Sequence, residues 1–139
     1  MTALDLEPGQ LSLLAGCPPC QGFSSLRRLN GGKYVRDEQN ALMVEFLRFV
    51  RVLKPLAIML ENVPRMASYW RLPRFRRTLS DLGYKWTAKV LDAACYGVPQ
   101  RRKRFILLAS KCGTPWLAPE ARSQVTVRDA IGPLGRPGS

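Results

Sequence analysis

Residues 41–60 read ALMVEFLRFVRVLKPLAIML, an amphipathic stretch that runs directly into a wholly apolar one. From Ala41 to Leu53 the charged residues Glu45, Arg48 and Arg51 recur every three positions on one stripe, while the remaining side chains are apolar. That is the pattern of a helix laid against a sheet. Lys54-Pro55 ends the helix, because the residue before a proline is pushed out of helical backbone angles. Leu56 to Leu60 follows as a short, wholly apolar run, which reads as a buried strand.

On the N-terminal side, the helix begins at Asn40 and is preceded by a loop from Ser24 to Gln39 rich in Gly, Asn, Ser and charge. Gly31-Gly32 marks the loop as a mobile segment able to close over a ligand. Leu11 to Ala15 reads as another short buried strand, closed by Gly16-Cys17-Pro18-Pro19, where two prolines forbid ladder hydrogen bonds. Toward the C-terminus, Pro73 and Gly83 bracket a helix from Leu72 to Leu82 with Leu72, Phe75, Leu79 and Leu82 inward. Tyr84 to Asp92 and Arg102 to Ser110 read as strands joined through Tyr96-Gly97-Val98-Pro99, hence antiparallel neighbours. The order of elements is α/β: part of an open sheet with an antiparallel edge hairpin, rather than a complete doubly wound domain. Residues 1–111 form this unit, and 112–139 make a tail punctuated by Pro and Gly.

The chain of 139 residues carries 22 Lys and Arg against 10 Asp and Glu, a formal charge of +12. Such a field attracts polyanions, and the clustering at Arg27-Arg28, Arg74 to Arg77 and Arg101 to Arg104 favours nucleic acid over a membrane surface or simple solubility. No run is apolar for long enough to span a bilayer, and no secretory signal pattern opens the chain, so a cytoplasmic location is expected. Four cysteines in that setting are reduced thiols. The sequence contains no histidine, which excludes Ser-His and Cys-His catalysis and every histidine-containing metal site; no metal is expected.

Cys20 follows the first strand and Glu61-Asn62 the second, so in a parallel sheet both lie at the carboxyl edge, where α/β folds place their sites. Glu61 after an apolar run signals a chain leaving the core for a polar cleft, although a solvated glutamate at a strand end has the same signature. Cys17-Pro18-Pro19-Cys20 also matches a dithiol centre or half of a zinc site. The loop behind it is not the opening helix a dithiol needs, and Cys95 and Cys112 are not a second close pair. Small apolar packing is therefore expected for Cys17, Cys95 and Cys112. In Gln100-Arg101-Arg102-Lys103-Arg104, an extended chain puts Gln100, Arg102 and Arg104 on one face, suited to phosphate or carbonyl oxygens, unless this is only a solvated basic strand start.

Taken together, GCPPCQGFSSL, LENVP and YGVPQRRKRFILLA, in this order and spacing, resemble the DNA (cytosine-5)-methyltransferase family. RDEQNALMVEFLRFVRVLKP is similar to the helix between the first two of those segments, and TVRDAIGPL to the run that follows the last. The resemblance implies the C-terminal half of a Rossmann-like S-adenosylmethionine-dependent methyltransferase sheet. It implies Cys20 as nucleophile on carbon 6 of cytosine, Glu61 holding and protonating ring N3, and Arg102 or Arg104 binding the base carbonyl and nearby phosphate. Gln21, Ser24, Asn62 and Gln100 are implied on the substrate side, and Pro19 and Leu42 as the retained contacts to S-adenosylmethionine. The base must be flipped out of the duplex, with the loop from Ser24 to Arg36 closing behind it. The family's Gly-rich cofactor turn with its ribose-binding acid, and its target-recognition region, have no counterpart here. Cys17 stands where Gly is usual, and Cys95 where an acid is common. DNA is the expected partner, along with a complementing N-terminal methyltransferase half. The alternatives are a catalytically dead DNA-binding remnant and a relative that methylates transfer RNA.

Overall fold

The structure is a computed structural model that describes residues 6–18, 38–121 and 123–134. Its elements are β1 (Leu13–Gly16), α1 (Glu38–Leu53), β2 (Ala57–Asn62), α2 (Leu72–Asp81), β3 (Lys85–Asp92), β4 (Lys103–Ser110) and α3 (Val127–Ile131). Short 3-10 turns lie at Pro64–Ser68, Ala93–Tyr96 and Gly132–Leu134. The four strands form one sheet in the order β1-β2-β4-β3. β1 runs parallel to β2, while β4 is antiparallel to both β2 and β3. The α/β class and the antiparallel hairpin thus stand, with β4 inserted between β2 and β3 so that β3 is the outer strand.

Local chemistry explains the boundaries. Lys54 takes a positive φ of 46° at the end of α1, its amide donates to the Val50 carbonyl (3.0 Å), and buried Pro55 turns the chain into β2. Pro73 sits in the first turn of α2, where its missing N–H costs nothing, and Gly83 takes φ 84° to turn the chain toward β3.

The core occupies one face of the sheet. Strand partners Ile58↔Ala109, Leu60↔Leu107 and Asn62↔Phe105 share that face, and on it pack Met43, Phe46 and Val50 of α1 and Leu72, Phe75 and Leu79 of α2. Among the described residues, the buried strand residues lie on this side. By the two-residue alternation of strands, Ala15, Met59, Glu61, Arg104, Ile106 and Leu108 point to the other face. None of these is buried.

Several expectations need correction. β1 is not a buried strand: Leu13 is 51% exposed and Ala15 is exposed, because only Leu14 and Gly16 reach the core side and β2 is its one neighbour among the described residues. β1 also lies later than expected, although the Leu56 and Ala57 amides pair back to the Leu11 and Ser12 carbonyls (both 2.9 Å). α1 begins at Glu38 rather than Asn40, and its apolar residues do not all face inward, since Leu42, Val44, Phe49 and Val52 are exposed. β2 excludes exposed Leu56 and includes Glu61 and Asn62, which remain in the ladder opposite Ile106 and Phe105. β4 starts at Lys103, so Gln100 and Arg102 precede the strand. The loop from Ser24 to Arg36 lies outside the described residues.

Beyond β4, the Ala121 amide donates to the Cys95 carbonyl (2.7 Å) and Lys89 pairs with Glu120 (3.5 Å). α3 opens with a capping box in which Thr126 and Asp129 satisfy each other's backbone amides. No described helix is long and apolar enough to cross a membrane.

Candidate active site

The register of the parallel pair builds the site. Leu13↔Ala57 and Ala15↔Met59 carry forward to set Cys17 beside Glu61, both past the covered face. The Cys17 thiol donates to Glu61 Oε2 (2.6 Å). From the antiparallel side Arg104, diagonal to Glu61, places Nε 2.7 Å from Oε1, with about a quarter of each side chain exposed (27% and 25%). Arg104 Nη1 donates to the Lys103 carbonyl (2.8 Å), which fixes the guanidinium. An ion pair at this separation in a half-buried site is screened less than one in open water.

Asn62, next along β2, turns to the core side and is only 2% exposed. Its amide nitrogen donates to the Pro18 carbonyl (3.0 Å), and its side-chain oxygen accepts from the Val63 amide (2.8 Å). The ends of β1 and β2 are therefore tied on both faces, by Cys17 to Glu61 and by Asn62 to Pro18. The chain leaves this knot toward Pro19, Cys20, Gln21 and Ser24, all of which lie outside the described residues.

The remaining candidates are not gathered here. Arg102 is exposed before β4, and its amide donates to Asp92 Oδ1 (3.0 Å). Gln100 is exposed in the preceding turn, and Leu42 is exposed near the start of α1. Two contributors escaped the sequence reading. Cys17 is an exposed hydrogen-bond donor rather than a packing group. Asp92 accepts from both the Ala94 and Arg102 amides and so shapes the turn that delivers Arg104. A short acidic side chain at a strand end, followed by Ala-Ala, carries that capping signal; nothing local carried the signal for Cys17.

A glutamate held at one oxygen by arginine and at the other by a thiol can grip the amidine-like edge of a heterocycle and exchange a proton with it. A profile described as C-5 cytosine-specific DNA methylase matches residues 2–131. The chain belongs to that family. It is similar to DNA (cytosine-5)-methyltransferase 1 of Mus musculus, with 41% identity over 77% of this chain and 7% of the mouse protein. It is also similar to the type II methyltransferase M1.HphI of Haemophilus parahaemolyticus, with 36% identity over 88% of this chain and 34% of that protein. Among solved structures, a DNA modification methyltransferase encoded within an E. coli prophage superposes with a TM-score of 0.66 at 28% identity, over 92% of this chain and 36% of that one. The chain thus spans about a third or less of the length of these methylase relatives. S-adenosylmethionine is the methyl donor that the family and fold imply, and DNA is the family's substrate.

Proposed function

We propose that this chain carries the catalytic centre of a DNA (cytosine-5)-methyltransferase. The observation that carries the reading is Glu61 held by Arg104 (2.7 Å) at the carboxyl edge of the parallel pair, one strand away from the segment that leads to Cys20. Carbon 6 of cytosine is a poor electrophile, so the centre has to supply a nucleophile and draw electrons from the ring together. In this reading the Cys20 thiolate adds to carbon 6 while Glu61 holds and protonates N3, and the ring electrons collect at carbon 5. Arg104, with Arg102 nearby in sequence, binds the base carbonyl and the adjoining phosphate. Once carbon 5 carries the methyl group, water takes its proton, the freed electron pair forms the carbon 5–carbon 6 double bond and expels the sulfur as thiolate, and N3 returns its proton to Glu61. Gln21, Ser24 and Gln100 complete the substrate side, and Asn62 holds the nucleophile segment in place through Pro18.

The exposed apolar side chain of Leu42 fits one wall of an adenosyl group, with Pro19 as the second proposed contact. S-adenosylmethionine, when bound, supplies an electrophilic methyl on a sulfonium. A cysteine of ordinary pKa already offers a few per cent thiolate near neutral pH, so the lack of histidine is consistent with the scheme. Reduced thiols and nucleic-acid chemistry together favour a cytoplasmic setting. We further read 1–111 as a partial catalytic domain and 112–139 as a tail leading toward a recognition region. Methyl transfer then depends on a complementing N-terminal half, because the transferred carbon has to be held in line with carbon 5.

The deciding assay is transfer of labelled methyl from S-adenosylmethionine to duplex DNA, by the chain alone and with a complementing half. Transfer is expected only with the half present, together with covalent trapping on DNA carrying 5-fluorocytosine that Cys20→Ser abolishes. DNA binding without trapping in any combination would instead make this a catalytically dead binding remnant.

A further inference from the structure

We propose that Cys17 is a positioning residue for Glu61, its thiol hydrogen bond joining the Arg104 ion pair, among the described residues, in giving the carboxylate a single orientation. The inference deepens the reading of Glu61 as the group that meets the base, and rests on it. A glutamate side chain ends in a broad, roughly two-fold torsion about its last bond, so fixing one oxygen leaves the carboxylate plane free to turn. Arg104 meets it through Nε at Oε1, while Nη1 is committed to the Lys103 carbonyl. The thiol of Cys17 meets the other oxygen, Oε2, from the opposite neighbouring strand. The two contacts, 2.6 and 2.7 Å long, come from β1's end and from β4 and close on β2 between them.

A packing role does not account for the thiol. Cys17 is exposed and lies on the half-open face of the sheet, where filling volume excludes little water. What its position offers is a hydrogen-bond donor at the height of Glu61, set there by the Leu13↔Ala57 and Ala15↔Met59 register. A serine can replace that donor; an alanine cannot.

Two measurements test this. In the complemented enzyme, Cys17→Ala should lower kcat several-fold with little change in KM, and Cys17→Ser should restore most of the loss. Wild-type kcat in Cys17→Ala, or failure of serine to rescue, overturns the proposal. In the chain itself, with Cys20, Cys95 and Cys112 replaced by serine, the rate at which iodoacetamide alkylates Cys17 reports the contact directly. A neighbouring carboxylate disfavours the thiolate, so Glu61→Gln should speed alkylation several-fold at constant pH. Arg104→Gln, which leaves that carboxylate uncompensated, should slow it, a direction that unfolding cannot produce. Equal rates in all three proteins overturn the contact. If Glu61→Gln leaves methyl transfer intact while the alkylation rates move as stated, the catalytic reading of Glu61 has failed and the pairing of Cys17 with Glu61 has not.

Discussion

Gly16 lies so close to Phe46 that a methyl group in its place would stand 2.4 Å from Cε2 of the ring. The glycine is the last residue of β1, and the ring belongs to α1, where it also meets Phe75 with centroids 6.3 Å apart. The absence of a side chain lets the helix settle onto the strand just before Cys17. Gly16→Ala is expected to cost about 1–3 kcal/mol by overpacking, seen as a lower urea midpoint with an unchanged slope. Adding Phe46→Leu should recover part of the loss. An alanine variant as stable as the parent would mean that α1 can slide.

Tyr84 is almost fully buried, and its hydroxyl donates to the Pro55 carbonyl at 2.6 Å. Tyr84→Phe keeps the ring and strands the carbonyl, so a loss of about 1–3 kcal/mol is expected. Burial pushes the phenol above its ordinary value. Ionisation is then easier in the unfolded chain, and this residue's contribution holds below the ordinary tyrosine range and declines as pH rises through and above it. Alkaline unfolding should therefore be less steep in Tyr84→Phe. The same steepness in both proteins would remove Tyr84 as a cause.

Asn62 serves the backbone at both ends of its amide. Asn62→Ala should strand the Pro18 carbonyl and the Val63 amide, at about 1–3 kcal/mol for a buried unsatisfied group. Hydrogen exchange at Val63 should rise well above that of the neighbouring strand amides. Protection unchanged at Val63 would show that its side-chain bond is dispensable.

Asp129 has a carboxyl held below the ordinary aspartate range, first by the Thr126 hydroxyl and next by the Thr126 amide. The capping box is therefore complete at pH values above the ordinary aspartate range and is lost as pH falls through the lowered value. Nuclear magnetic resonance of the Thr126 amide should titrate with that carboxyl, and Thr126→Val should move the carboxyl back up. A carboxyl that titrates alike in both proteins would show that the box does not form in solution.

Much of the fold was legible because proline and glycine punctuate it. Pro55, Pro73 and Gly83 mark boundaries through their own backbone chemistry, and the inward stripe of α2 follows from spacing alone. Burial was less legible. Leu11 to Ala15 is apolar but for Ser12, much like Leu56 to Leu60, yet among the described residues β1 has a partner on one side and a core on one face, which only the assembled sheet reveals. Glu61 and Asn62 looked like the end of a strand because apolarity stops there, whereas the ladder to Ile106 and Phe105 runs on. At the site, strand alternation made Arg104 readable, whereas Gln100 and Arg102 precede the strand. Cys17 was misread because its partner is 44 residues away, beyond any local pattern. The cluster of Arg74 to Arg77 lies in the helical layer, across the sheet from Glu61, so clustered charge alone did not locate the site.

The half-open face on which Glu61 and Arg104 meet has a consequence for how the centre responds to a guest. Water reaching that ion pair weakens it by dielectric screening, and the strength of such a pair grows steeply as the surroundings become less polarisable. A planar ring settling against the face would expel that water and become part of the pair's insulation. Losing that water strengthens the attraction within the pair and also costs both charges their hydration, so the balance of the two decides how firmly such a ring would be held.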